Sequence, residues 1–140
     1  MIVLDTNVVS ELMRDRSHPA VLAWLDARPA RELFVTAVTE AEVYTGLAFL
    51  PEGKRRRGLT EAADRAFDGL FKGRVLPFES RAARSFAEIA AACRAAGHPM
   101  SQADAQIAAI ARSRGMAVAT LNIQDFKDAG IDLVDPWAGV

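Results

Sequence analysis

Carboxylates that follow apolar runs dominate the chemistry this chain can offer. Asp5 comes directly after Ile2-Val3-Leu4, and Asn122 and Asp125 follow the apolar stretch that ends at Thr120. Glu40 and Glu42 lie beyond Leu33-Phe34-Val35, and Asp104 stands in Ser101-Gln102-Ala103-Asp104. Each has a plain structural role when taken alone. Asp5 suits a turn or cap, Ser101 with Asp104 forms a capping-box pattern, and Asn122 with Asp125 can be another. Brought to one edge, the same groups do something else. Several close carboxylates repel one another, and one stays protonated unless a cation offsets them. Hard oxygen donors without Cys or His suit Mg²⁺ or Mn²⁺ rather than zinc. Such ions serve in-line displacement at phosphorus, where a metal lowers the pKa of an attacking water. Asp5, Asp104 and Asp125, joined by a fourth acid from the Glu40–Glu42 pair, thus point to a metal-dependent phosphodiesterase or phosphatase-like hydrolase. Periodicity does not choose within that pair. Gly46, one turn beyond Glu42, leaves that side less bulk and favours Glu42.

Competing chemistries lack their residues. His18 and His98 each precede a proline in a loop, where a positioned base is poorly supported. The chain has no Gly-x-Ser-x-Gly elbow, no P-loop and no Gly-x-Gly-x-x-Gly after its first apolar run. Cys93 falls on an apolar helical stripe and reads as core. A phosphoaspartate mechanism at Asp5 would want a second acid two residues on, and Asn7 stands there.

The elements that must hold these acids follow from pattern. Strands are expected at 1–4, 33–36, 74–78, 116–120 and 131–134, the third cut short by Pro77, which lacks a ladder donor. Thr6 or Asn7 caps a short helix from Val8 to Met13, and Ser17 with Pro19 opens a second carrying Val21, Leu22, Trp24 and Leu25. A third helix spans 40–50. An amphipathic one covers 54–73, with Leu59, Ala62, Ala63, Ala66, Phe67, Leu70 and Phe71 on its core face. The next, 80–96, carries Ala83, Phe86, Ile89, Ala90 and Cys93 on one stripe, and Gly97 stops it. Ser101 opens a helix to Arg114, and Asp104 shares the buried face of Ile107, Ala108, Ile110 and Ala111. A last short helix is placed at 125–129. Strands separated by long helices mean a parallel sheet covered on both faces. Residues 1–140 are expected to form one three-layer α/β domain of about five parallel strands. Asp5, at the end of the first, would then sit at the carboxyl edge where open α/β sheets place ligands.

Bulk properties narrow the setting. A net charge of −1 and a pI of about 6.1 exclude a polycationic nucleic-acid coat. A single cysteine forbids an internal disulfide and fits a reducing compartment. The opening apolar run lacks a basic leader and is broken by Asp5, so neither a signal peptide nor a membrane span is expected there. A soluble cytoplasmic protein with no membrane association is the expectation.

Taken in order, Ile2-Val3-Leu4-Asp5-Thr6-Asn7, Thr36-Ala37-Val38-Thr39-Glu40-Ala41-Glu42, Asp104-Ala105-Gln106-Ile107-Ala108-Ala109, Ala119-Thr120-Leu121-Asn122-Ile123-Gln124-Asp125-Phe126 and Asp135-Pro136-Trp137 resemble a PIN-domain ribonuclease of the VapC type, the toxin half of a type II toxin–antitoxin pair. The likeness runs essentially the length of the chain. It implies metal-organising acids at Asp5, Glu42 and Asp104, selecting Glu42 over Glu40, with supporting polar positions at Thr6, Asn7 and Thr120. Many relatives carry Asp where Asn122 stands here, so the fourth acidic role goes to Asp125, with Asn122 as a polar helper. The resemblance also implies a Mg²⁺- or Mn²⁺-dependent endoribonuclease, a homodimer, and a small DNA-binding VapB-like antitoxin whose tail occupies the active-site groove. Higher oligomers with that antitoxin would bind promoter DNA mainly through it. Lys54-Arg55-Arg56-Arg57, the one dense basic run, is either a solvated helix start or an RNA-backbone contact. The reading from a different class is a catalytically weak scaffold of an autoregulatory DNA-binding complex. Asn122 in an acid's place favours it, and absence of measurable Mn²⁺ affinity would support it.

Overall fold

The structure is a computed structural model, and it describes residues 1–138. The expected span 1–140 therefore has Gly139 and Val140 outside the described residues. Five strands form one parallel sheet: β1 (Ile2–Leu4), β2 (Leu33–Thr36), β3 (Val75–Leu76), β4 (Ala117–Ala119) and β5 (Leu133–Val134), in the order β3-β2-β1-β4-β5. β1 is central because it is buried on both faces: Val3 and Leu4 are each fully inaccessible. Its register pairs Val3 with Phe34 on one side and with Val118 on the other. Continued two residues, the same register sets Thr36, Asp5 and Thr120 side by side at the carboxyl edge.

Among the described residues seven α-helices cover the sheet: α1 (Thr6–Leu12), α2 (Pro19–Asp26), α3 (Ala37–Ala48), α4 (Lys54–Arg65), α5 (Ser80–Ala95), α6 (Gln102–Ser113) and α7 (Ile123–Phe126). Strand alternation divides the core between the two faces. Leu4, Leu33, Val35 and Ala119 pack with α1 to α4, whereas Val3, Val118 and Leu76 pack with α5, α6 and Phe126. The three-layer α/β architecture is as the pattern implies. Among the described residues no helix is long and apolar enough to cross a membrane.

Local boundaries differ where a side chain found a better partner than propensity indicates. Asp5 itself caps α1 by accepting from the Thr6 N–H, so the helix starts two residues before Val8. His18, rather than Ser17, caps α2 through Nδ1, because the Ser17 hydroxyl is drawn to the Glu11 carbonyl. Thr36 caps α3, starting it at Ala37 instead of Glu40. The 54–73 helix is α-helical only to Arg65. A π-turn at Ala66–Leu70 re-aims the chain, burying Phe67 and Phe71 but leaving Leu70 exposed. On α5 the buried stripe is Ala82, Ile89 and Cys93, with Phe86 half-buried, while Ala83 and Ala90 face outward. Leu22 is likewise on the outer side of α2. α7 covers Ile123–Phe126 rather than 125–129, and Asn122 precedes it without a side-chain capping bond. Gly97 at φ 76° and Gly115 at φ 66° end α5 and α6 in the left-handed region that glycine adopts without a Cβ clash.

Candidate active site

Strand β1 delivers Asp5 to the sheet edge, and the turn into α1 holds its carboxylate there. The residue is only 4% exposed. Its Oδ1 accepts from the Thr6 backbone N–H at 2.8 Å, and its Oδ2 accepts from the Thr120 hydroxyl at 2.8 Å and from the Asn7 amide at 3.3 Å. Thr120 is positioned in turn: its Oγ1 accepts from the Asn122 N–H at 3.0 Å. Asn7 Oδ1 accepts from the Leu121 N–H at 3.3 Å, tying the start of α1 to the end of β4. Burial is the main force on Asp5. It pushes the carboxyl from 3.8 up to about 6 against the pull of its Thr120 and Thr6 hydrogen bonds, and the charges of Asp104 and Glu42 push the same way.

Glu42 projects from the second turn of α3, where Thr6 Oγ1 donates to its Oε1 at 2.6 Å. That hydroxyl also lies 3.0 Å from Thr39 Oγ1, and Thr39 is linked to the fully buried Thr36. Glu40, two residues earlier, is not part of the cleft lining. Asp104 sits in the first turn of α6, where the Ser101 hydroxyl accepts its backbone N–H at 3.2 Å. Half-buried there, its carboxyl is held above the usual carboxylate range, first by desolvation and then by the charges of Glu42 and Asp125, with Ser101 opposing.

One cleft of about 500 Å³ gathers Asp5, Thr6, Asn7, Glu42, Asp104 and Asn122. Thr120 is fully buried directly beneath, behind Asp5. Asp125 is exposed and lines the adjoining cavity, which shares Asp104 with the cleft. At the end of β4 it is Thr120 that contacts Asp5, Asn122 lines the cleft itself, and Asp125 lines only the adjoining cavity. Lys54 to Arg57 lie on the first turn of α4, away from the cleft wall.

The cleft also contains residues that sequence pattern did not single out: Ser10, Glu11, Arg14 and Trp137. The first three had a signal, because Asn7, Ser10, Glu11 and Arg14 recur at three- and four-residue steps along α1 and its end. Glu11 is 6% exposed, accepts the His18 N–H at 2.6 Å and faces Arg14 at 3.5 Å. Trp137 had none. It reaches the cleft only because Pro136–Ala138 folds back against α2.

The donors fit a hard divalent cation. They are oxygens alone, the charges of neighbouring acids help to raise the pKa of Asp5 and of Asp104, and among the described residues Asp5, Glu42, Asp104 and Asp125 take part in no ion pair with a basic side chain. Among those residues no three acids stand close enough to form a complete ligand set.

An all-parallel α/β sheet with Asp5 at the carboxyl end of its central strand, and Glu42 and Asp104 in the same cleft, defines an α/β domain whose candidate site lies at the strand ends. Comparison makes the class specific. The PIN domain family model matches residues 2–131. The VapC ribonuclease Y4jK of Sinorhizobium fredii is 43% identical over 98% of each chain, and the toxin FitB of Neisseria gonorrhoeae 36% identical over 98% of this chain and 99% of its own. A solved structure of FitAB bound to an IR36 DNA fragment superposes with a TM-score of 0.91 at 37% identity, over 98% of this chain and 96% of that one. The chain belongs to the PIN-domain family.

Proposed function

We propose that this protein is the toxin of a type II toxin–antitoxin pair, a Mg²⁺- or Mn²⁺-dependent endoribonuclease that hydrolyses RNA phosphodiester bonds. Asp5, Glu42 and Asp104 would hold the metal from the cleft, with Asp125 entering from the adjoining cavity. When bound, such an ion supplies a water whose pKa is lowered toward neutrality and a positive charge for the phosphoryl oxygens. The chain's own residues do the positioning. Thr120, Asn7 and the Thr6 N–H fix both Asp5 oxygens, and Thr6 Oγ1 orients Glu42. Ser101 fixes the start of the helix that carries Asp104. Asn122 contributes through its backbone, by supporting Thr120. Groups that orient metal-binding oxygens in this way typically contribute ten- to a hundred-fold to affinity or activity.

What carries the reading is the buried Asp5 carboxylate, desolvated and facing two further acids across one cleft, in a chain whose close relatives are named as a ribonuclease and a toxin. A VapB-like antitoxin is the natural partner, supported by the FitAB assembly on DNA. Promoter DNA would then be bound mainly through that partner, and the toxin would be a cytoplasmic homodimer within a higher oligomer. The protein functions as a single domain.

Asp5→Asn tests the assignment. It should lower RNA cleavage by at least about 100-fold, roughly 3 kcal/mol of barrier, while circular dichroism shows the fold retained. Sequencing of RNA 5′ ends after expression of each form reads the result. Equal cleavage by parent and variant would remove Asp5 from the mechanism. Single-stranded RNA, tRNA and DNA offered side by side decide the substrate class.

A further inference from the structure

Arg14 is the place where the acid cleft meets the basic face of the molecule. It lines the cleft together with Asp5 and Glu11. It also lines a groove of about 250 Å³ floored by Met13, Val43, Leu47 and Leu59, and a further cavity of about 510 Å³ walled by Lys54, Arg55 and Arg65, with Asp15 as that wall's one acid. Of these three hollows Arg14 is the single shared residue. The basic run on α4 is divided by this arrangement: Lys54 and Arg55 line the same cavity as Arg14, while Arg56 and Arg57 line a separate hollow with Glu52 and Glu61.

Electrostatics gives that continuity a use. The cleft lining holds four acids, Asp5, Glu11, Glu42 and Asp104, against one base, Arg14. A phosphodiester entering such a cleft is repelled unless cations meet it. Arg14 is placed to be one of them. Its side chain is 68% exposed, and its recorded ion pair, to Glu11 at 3.5 Å, engages one nitrogen of a planar fork suited to bidentate phosphate binding. Glu11 is fixed by burial and by the His18 N–H, so it anchors the arginine without following it into solvent.

Resting on the ribonuclease reading, we propose that Arg14 is a substrate-binding residue that receives an RNA phosphate flanking the scissile one. From there the single strand runs over the Met13–Leu59 groove to Lys54 and Arg55. Glu11 is the positioning residue for Arg14. The track takes the backbone of unpaired RNA, whose phosphates need charge and whose path needs no base recognition.

Steady-state cleavage of a single-stranded RNA oligonucleotide at several salt concentrations, with Mn²⁺ and the purified full chain, tests this. Arg14→Ala should raise KM about tenfold or more with kcat within about threefold of the parent. The slope of log affinity against log salt should flatten by about 0.7, the value for one phosphate contact on a single strand. Arg14→Lys should restore the slope, since charge is kept, but only part of KM, since the fork is lost. The pair Lys54→Ala/Arg55→Ala should flatten the slope by about 1.4, and more than Arg56→Ala/Arg57→Ala. Arg84→Ala, on α5 in the other helical layer, should match the parent. If Arg14→Ala and Lys54→Ala/Arg55→Ala keep the parent's KM and slope while the parent cleaves RNA, the track is wrong and the ribonuclease reading stands. A parent that leaves RNA uncut in Mn²⁺ overturns both.

Discussion

At the scale of single residues, the proton on Asp5 couples site chemistry to stability. Its carboxyl titrates near 6 in the folded chain, mainly through burial, against about 3.9 when unfolded. Between about pH 4 and 6 the folded state therefore holds a proton that the unfolded state has released. Stability must fall as pH rises through that window, and above it the loss is complete, on the order of 3 kcal/mol. Asn at this position cannot ionise, so the stability of Asp5→Asn should lack that descent. Urea denaturation of the metal-free parent and variant from pH 4 to 8 reads the difference, and parallel curves would show that burial of Asp5 carries no such cost. A cation has to displace the same proton, so apparent Mn²⁺ affinity should climb up to about pH 6 and level off above it.

At the scale of elements, α5 shows how a helix rich in alanine chooses its face. Ala82, Phe86, Ile89 and Cys93 recur at steps of four, three and four residues, and this stripe meets α6 and the sheet. A stripe rotated by one residue, through Ala83 and Ala90, contains the same large side chains and almost the same periodicity. The sequence alone therefore leaves the two nearly degenerate, and contact with Ile107 and Ile110 of α6 decides between them. Ile89→Ala should cost about 2–5 kcal/mol by transfer and cavity terms. Ala90→Ser should change stability by less than about 0.5 kcal/mol. Denaturant midpoints of the two variants check the assignment of faces. The threonine ladder Thr36–Thr39–Thr6 is a second element-scale device, reaching from the end of β2 to Glu42 through three hydroxyls.

At the scale of the whole molecule, the apolar cores and the acid cleft occupy different places. The two cores lie on opposite faces of the sheet, each closed by apolar side chains, and the acids lie at the sheet's edge, outside both. Metal should thus be needed for cleavage and not for folding. Chelation should abolish activity and leave the circular dichroism spectrum unchanged. Added Mn²⁺ should stabilise by mass action, about 2.7 kcal/mol at a hundred times its dissociation constant. Unfolding on chelation would show instead that the acid cleft is part of the structural framework.

Much of the fold is legible in the sequence. Buried strands are continuous apolar runs, and helices of ten or more residues between them require parallel pairing, so the five strands and three layers follow from the local pattern. Asp5 and Asp104 stand out in the sequence as candidates for one sheet edge because each ends or begins an element whose orientation the pattern already sets, and both line the cleft. Glu42 needed the family likeness to separate it from Glu40, since α3 is apolar on nearly every side. Tertiary structure alone brought Glu11, Arg14 and Trp137 into the cleft, placed Asn122 against Thr120, and left Asp125 in the neighbouring cavity. The reason is physical. Periodicity reports which face of an element is apolar, but the meeting of polar groups from α1, α3, α6 and the final turn depends on helix placement and on hydrogen bonds between residues more than a hundred positions apart, such as Thr120 to Asp5.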